Sequence, residues 1–519
     1  MQSDFDFYIN VFQHRDKILV NGYKDGKRQY KSINFKPSLY FETNKNTNIK
    51  TLDNKKLEKV EFDSINEYYN FLRQNTGISN VNIYGCDNLK TQWISENFPG
   101  KLTANLSLIR KAFIDIETCC ELGFPDPNIT PEPINAITYY DSILKCYYVF
   151  TVKEYSEVNI NDKECVIIQC ENEKELLLRF VSIWCTNYPD IILGWNSEKF
   201  DIPYIIGRIN KVLGERYVNK LSPFGVVREK EIPLMGGKKT KTFKMIGIVD
   251  LDYLDLYKTF SYSGQQPSYS LKFITTLELG ETKLDHEEFA NMHLFYRENY
   301  QKFIEYNIQD VKLLVKLDEK RKLVNLVTQL AYIAKINFNE TFSPVATWES
   351  LIYNFLKEQN IFTKIISKEA VAGEYTGAFV KQPVPDRYKW VVSFDLNSLY
   401  PSLIRQFNIS PEKIVSDSDR NKILVNIRDQ NIDNYNKIID KENIIENIVH
   451  ERIDTSIFKN LNISLSGSGY MFKRDSKGFL PSIMEYVYNQ RRAVKKEMLM
   501  HQENVELIKA EIHKRGLKI

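Results

Sequence analysis

Residues 111–118 read KAFIDIET, an apolar, β-rich stretch that places Asp115 and Glu117 two positions apart. Side chains two apart on a strand project to the same face. A buried strand here therefore brings two carboxylates side by side. Such a pair repels itself and loses hydration in an interior, and a divalent cation is a natural compensation. The fold must supply further groups around this strand, which makes it the strongest constraint in the chain.

The downstream sequence has such groups. INAITYYDS, CYYVFTV and CVIIQC read as further strands, and EKELLLRFVSIW sets Leu177, Val181 and Trp184 at helical spacing. DIILGWN (190–196) reads as a strand, and FDIPYIIGRINKVLG as a helix opened by Asp201 and Pro203. In EYNIQDVKLL, Ile304, Ile308, Val311 and Val315 form a stripe for burial, and Tyr306 and Asp310, four apart, share the adjacent face. Between these segments, Gly236–Gly237 lies between extended runs as a hairpin turn, with Lys238, Lys239 and Lys241 beside it. Asp250, Asp252 and Asp255 add three further acids in the same stretch.

A second constellation begins at SFDLNSLYPSLIRQ (393–406). An apolar strand delivers Asp395, and the chain turns through Leu396, Asn397, Ser398, Leu399 and Tyr400. Phosphoryl transfer uses metal ions about 4 Å apart, so one carboxylate is half of such a site. Residues 412–466 are rich in Asn, Asp, Ile and Lys without a clear period and read as a surface excursion. Residues 478–519 read as one long helical stretch, in which Arg491 and Lys495 lie one turn apart and can face one triphosphate, with a second such pair, Arg492 and Lys496, one step round.

Composition adds bounds. A 519-residue chain that is 43% hydrophobic has enough apolar content for several cored domains. The net charge of +3 does not announce a nucleic-acid partner, so any basic surface must be local. Seven cysteines without a C-x-x-C pair fit a reducing compartment and argue against structural zinc. With no signal peptide and no membrane-length apolar run, a soluble intracellular protein without a membrane partner is expected.

Together these strings resemble the family B DNA polymerases of the T-even-type bacteriophage replicative kind. D-I-E at 115–117, G-W-N-x-x-x-F-D at 194–201 and Y-x-x-x-D at 306–310 are similar to motifs Exo I, Exo II and Exo III, and D-x-x-S-L-Y-P-S at 395–402 to motif A. The resemblance implies an α/β multidomain protein. Its parts are a mixed α+β N-terminal domain (1–111 and 323–366), a ribonuclease-H-like 3′→5′ exonuclease (112–322), the first part of a palm (367–477) and the first fingers helix (478–519). It implies that Asp115, Glu117, Asp201 and Asp310 bind two divalent metals, Mg²⁺ with Mn²⁺ as a substitute, and that Tyr306 positions the attacking water or scissile phosphate. Asp395 and the Leu396 backbone would hold the polymerase metals. Ser398, Leu399, Tyr400, Arg491 and Lys495 would bind the incoming dNTP, with Tyr400 beneath its sugar. Gly377 and Ala378, where many members have two glycines, would approach template phosphate, and Lys238 and Lys239 would touch DNA at the hairpin. Implied partners are primer–template DNA and a sliding clamp reached through another chain, in the cytoplasm of a phage-infected host.

Strings for K-x-x-x-N-S-x-Y-G and the D-T-D of motif C are absent from the sequence. The nearest, Arg452-Ile453-Asp454-Thr455-Ser456, lacks the second aspartate and precedes the fingers helix. The expectation is therefore an N-terminal subunit of a split polymerase, completed by a second polypeptide with motif B, motif C and the thumb. The alternatives are a stand-alone 3′→5′ exonuclease with a non-functional polymerase half, and a non-catalytic nucleic-acid-binding protein.

Overall fold

KAFIDIET becomes the central strand Lys111–Thr118 of a six-stranded mixed sheet. In the computed structural model, residues 4–75, 81–121, 123, 125–155, 164–233, 239–284, 289, 292–366, 382–396, 398–440, 444–450, 452–454 and 456–515 are described. Strand Ile134–Asp141 pairs antiparallel with the central strand, and Cys146–Thr151 antiparallel with that one in turn. On the other side Ile191–Gly194 runs parallel to it, followed by Val249–Asp252, also parallel. Cys165–Gln169 closes the far edge in parallel with Cys146–Thr151. The acid-bearing strand thus lies inside a mixed sheet, paired antiparallel on one side and parallel on the other.

The pleat sorts the central strand's side chains. Ala112, Ile114 and Ile116 join a core with Leu176, Phe180 and Trp184 of helix Glu173–Thr186 and with Ile205 and Ile209 of helix Asp201–Leu213. Phe113 points to the opposite face and packs with Phe303, Ile304, Ile308 and Val311 of helix Tyr300–Arg321. Asp115 and Glu117 share the parity of Phe113, so they face the helix that carries Tyr306 and Asp310. Burying that helix's stripe contributes about 1.5–3 kcal/mol per large aliphatic side chain.

The chain divides into two compact units: Met1–Thr47, Lys56–Lys357 and Phe362–Ser367 form one, and Asn48–Lys55, Glu358–Ile361 and Lys368–Ile519 the other. In the first unit a meander of strands Phe7–His14, Lys17–Lys24 and Lys27–Ile33 receives the later segment Leu323–Phe342. Asn337 bridges to it through both side-chain groups, accepting from Val11 N at 2.8 Å and donating to Val11 O at 2.9 Å. The expected hairpin forms from Val227–Pro233 and Lys239–Met245; Gly236, Gly237 and Lys238 lie outside the described residues.

In the second unit, 391–396 carries no regular structure and is exposed, which corrects the strand expected to deliver Asp395. A strand needs a hydrogen-bonded neighbour, and among the described residues none pairs with this segment. The excursion at 412–466 is ordered beyond expectation. Helices Asp417–Gln430, Ile432–Ile439, Ile444–Val449 and Ser456–Asn460 and a short hairpin, Ile463–Leu465 with Met471–Lys473, surround their own core of Val415, Leu424, Ile427, Ile438 and Phe458. The long helix expected at the end is Phe479–Lys514. Among the described residues no helix is long and apolar enough to cross a membrane.

Candidate active site

Three elements bring the first constellation together. The central strand presents Asp115 and Glu117, both half-buried. Strand Ile191–Gly194 ends in the turn Trp195–Phe200, which places Asp201 on the first turn of the next helix. Asp201, 4% exposed, accepts from the Ile116 backbone N–H at 3.2 Å, between the two acids of the strand. Helix Tyr300–Arg321 brings Asp310, also 4% exposed, and Tyr306. The carboxylates are also fastened from behind. Asn307, fully buried, donates its side-chain amide to Asp115 Oδ2 at 2.6 Å and accepts from the Thr138 hydroxyl.

The local electrostatics record this crowding. Burial holds Asp115 well above the usual carboxylate range, and the nearby charges of Asp201, Asp310 and Glu117 push the same way. Glu117 is pushed up to about 8 by burial and then by Asp310. Asp201 rises to about 7 through burial, opposed by the backbone N–H groups it accepts from.

One member of the site was not read from the sequence. Lys283 ion-pairs with Asp310 and donates to the Tyr306 hydroxyl at 3.2 Å. Burial disfavours its ammonium, but Asp310, Tyr306 and Asp115 outweigh that and raise its pKa. It lies on an irregular stretch without periodicity, so no local pattern marks it; only the topology brings it to the acids.

Oxygen-only carboxylate donors of this kind suit hard divalent cations such as Mg²⁺ or Mn²⁺. Among the described residues no three acids close on one point as a ready-made cage. The Lys283 ammonium meanwhile supplies positive charge against Asp310. The donor chemistry and the mutual repulsion of the acids fit a site for divalent cations.

The second constellation is looser. Asp395, Leu399 and Tyr400 are exposed, Ser398 is half-buried with left-handed backbone at φ 53°, and Asn397 lies outside the described residues. Leu399 and Tyr400 open the helix Leu399–Phe407. Arg491 donates to Ser398 Oγ at 3.4 Å. Lys495, one turn on, is exposed. Lys239 sits on the hairpin, paired with Glu231 at 3.1 Å. Lys238, Gly377 and Ala378 lie outside the described residues.

A cavity of about 690 Å³, lined by Asp126, Asn128, Asn196, Lys199, Lys239 and Thr240, opens between the hairpin and the turn that leads to Asp201.

Comparison with known proteins gives matches on both halves of the chain. Residues 40–274 match the exonuclease domain of DNA polymerase family B, and residues 343–519 match DNA polymerase family B itself. The chain is 35% identical to the DNA-directed DNA polymerase of Escherichia phage RB69 over 543 aligned positions, covering 99% of this chain and 56% of that protein. It is 31% identical to the DNA-directed DNA polymerase of Enterobacteria phage T4, covering 98% of this chain and 56% of that protein. DNA polymerase 1 of Sulfurisphaera ohwakuensis is 28% identical across 60% of this chain and 36% of its own length. The chain thus spans little more than half the length of the phage relatives it matches. With an exonuclease-domain match and a polymerase match in sequence along it, the chain belongs to DNA polymerase family B.

Proposed function

We propose that this chain is a metal-dependent 3′→5′ exodeoxyribonuclease and one part of a DNA-directed DNA polymerase. The observation that carries the first activity is the convergence of Asp115, Glu117, Asp201 and Asp310 with Tyr306 around the central strand. In this reading the four carboxylates hold two divalent cations, Mg²⁺ or Mn²⁺. Such ions activate water and stabilise charge on the departing oxygen. Water attacks the last phosphodiester, the P–O3′ bond breaks, and a nucleoside 5′-monophosphate leaves. The shortened strand keeps its 3′-hydroxyl, whose proton comes from solvent. Tyr306, its hydroxyl held by Lys283, orients the water or the phosphate.

The polymerase assignment rests on the family match at 343–519 and on the motif around Asp395. Asp395 and the Leu396 backbone would bind metal there; Ser398, Leu399, Tyr400, Arg491 and Lys495 would bind the dNTP. Gly377, Ala378, Lys238 and Lys239 would contact primer–template DNA. In this reading Asp395 supplies one side of that metal site. Along helix Phe479–Lys514, Val487, Val494, Met498, Val505 and Ile508 form an exposed apolar stripe at near-heptad spacing. A second polypeptide with motif B, motif C and the thumb would cover the stripe, complete the metal site and bring the sliding clamp.

Primer extension tests the reading. The chain alone should degrade 3′ ends in Mg²⁺ without templated synthesis, and should synthesise DNA when mixed with a chain carrying the absent motifs. Asp115→Ala with Glu117→Ala should abolish degradation, and Asp395→Ala synthesis. Synthesis by the isolated chain overturns the divided site. Synthesis that never appears, with Asp395→Ala silent, favours the stand-alone exonuclease.

A further inference from the structure

We propose that Asp252 is the positioning residue for the metal ligand Asp201, acting through the turn at 195–200; this rests on the exonuclease reading above. Asp201 opens its helix without a side-chain cap, since Phe200 stands at that position. Its placement therefore depends on the preceding turn. That turn begins where Gly194 meets Asp252 across the parallel strand pair. It is tightly packed: a Cβ on Gly194 would fall 2.5 Å from Ser197 Cβ and 3.0 Å from the Ile114 carbonyl oxygen of the central strand. Asn196 adopts left-handed backbone at φ 70°, a conformation that costs a non-glycine residue energy and persists only when its surroundings impose it.

The Asp252 carboxylate imposes it. Oδ1 accepts from Asn196 N at 3.0 Å and Oδ2 from Glu198 N at 3.2 Å. Oδ1 also accepts from Leu254 N at 2.9 Å, capping helix Tyr253–Phe260 and fixing the carboxylate to a rigid element. The side chain is 4% exposed, and backbone donors engage both oxygens. It therefore holds the turn. From the turn, Ile202 N reaches back to Ser197 O at 3.0 Å, and Asp201 Oδ1 meets Ile116 N between Asp115 and Glu117. The edge strand thus sets the distance between Asp201 and the acids of the central strand.

The test is Mn²⁺ binding by the full chain, followed by electron paramagnetic resonance, alongside exonuclease kinetics. Asp252→Ser keeps a helix cap but cannot reach the turn; Asp252→Asn presents a donor to one of the two turn N–H groups. Each should weaken Mn²⁺ binding about tenfold or more, the usual loss when a partner behind a metal ligand is removed. The exonuclease kcat should fall while the KM for DNA stays put. In an Asp201→Asn background, neither change should weaken Mn²⁺ binding further, because the effect runs through Asp201. Thermal melting identifies any variant that fails to fold, and the other then carries the test. Affinity within twofold of wild type in the folded variants overturns the proposal, as does an undiminished loss in the Asp201→Asn background. A wild-type chain whose Mn²⁺ binding ignores Asp115→Asn overturns the exonuclease reading instead.

Discussion

Asn307 donates to Asp115 at 2.6 Å while Thr138 donates to Asn307, so a neutral amide on one helix fixes the orientation of a carboxylate on the central strand. An ionised carboxylate only accepts, so the amide nitrogen of Asn307 faces Asp115 and its oxygen is left for the Thr138 hydroxyl. Replacing Asn307 with Leu keeps most of the volume and removes both bonds. Asp115 then loses its donor, and exonuclease turnover should fall about 10- to 100-fold, as is usual for partners of metal ligands. Single-turnover degradation of a 3′-labelled strand measures this, and a rate within twofold of wild type would contradict it.

Lys283 is the counter-charge of the metal-free site, ion-paired with Asp310 while both are largely withdrawn from water. Removing one member of a buried pair strands the other and costs about 3–5 kcal/mol. Lys283→Met should therefore lower the melting temperature of the metal-free chain, and Mg²⁺ should recover part of the loss. Melting in EDTA and in Mg²⁺ separates the two contributions. Equal losses in both conditions would show that the lysine acts elsewhere.

The raised acids fix a pH dependence. Unfolded carboxyls titrate near 4, whereas Glu117 is pushed up to about 8 and Asp201 to about 7 in the fold, each chiefly by burial. The folded state then binds more protons than the unfolded state between those limits. Its stability falls as pH rises through the window, being fully present below the unfolded value and lost above the folded one. Melts of the metal-free chain from pH 5 to pH 8.5 should show this decline, and Asp115→Asn with Glu117→Gln should flatten it. Divalent cations compete with those protons, so Mg²⁺ should bind more tightly as pH rises and release protons as it does. Calorimetry in two buffers of different ionisation enthalpy reads that release.

The legible part of this site was the part with a period. D-x-E on a strand and Y-x-x-x-D on a helix declare which side chains share a face, and the buried stripe Ile304, Ile308, Val311 and Val315 followed from helical spacing. Lys283 was illegible as a member of the site for the same reason. It belongs to no local pattern, and its place depends on how the chain returns to the acids. Asp395 failed differently: its flanks have strand composition, but composition cannot supply the neighbouring strand that a ladder requires. At 412–466 the opposite occurred: four short helices lie in different directions, so no single period runs along the sequence, yet together they enclose a core.

The exposed stripe on helix Phe479–Lys514 provides the last test. The helix runs 36 residues, about 54 Å at the usual rise. Its buried side chains are confined to Pro481 and Ile483 near the start. Val494 sits in the middle of the stripe, three residues beyond Arg491 and thus on a nearby part of the surface. Val494→Asp puts a charge where an apolar partner would pack but leaves an exposed helical position otherwise undisturbed. The variant should keep its melting temperature and its exonuclease rate. On mixing with the complementing chain it should lose DNA synthesis, with association weakened about tenfold or more, since burying an unpaired carboxylate at an interface is costly. Arg491→Ala should behave differently, leaving association intact while raising the KM for dNTP. If Val494→Asp associates and synthesises normally, some other surface joins the two parts.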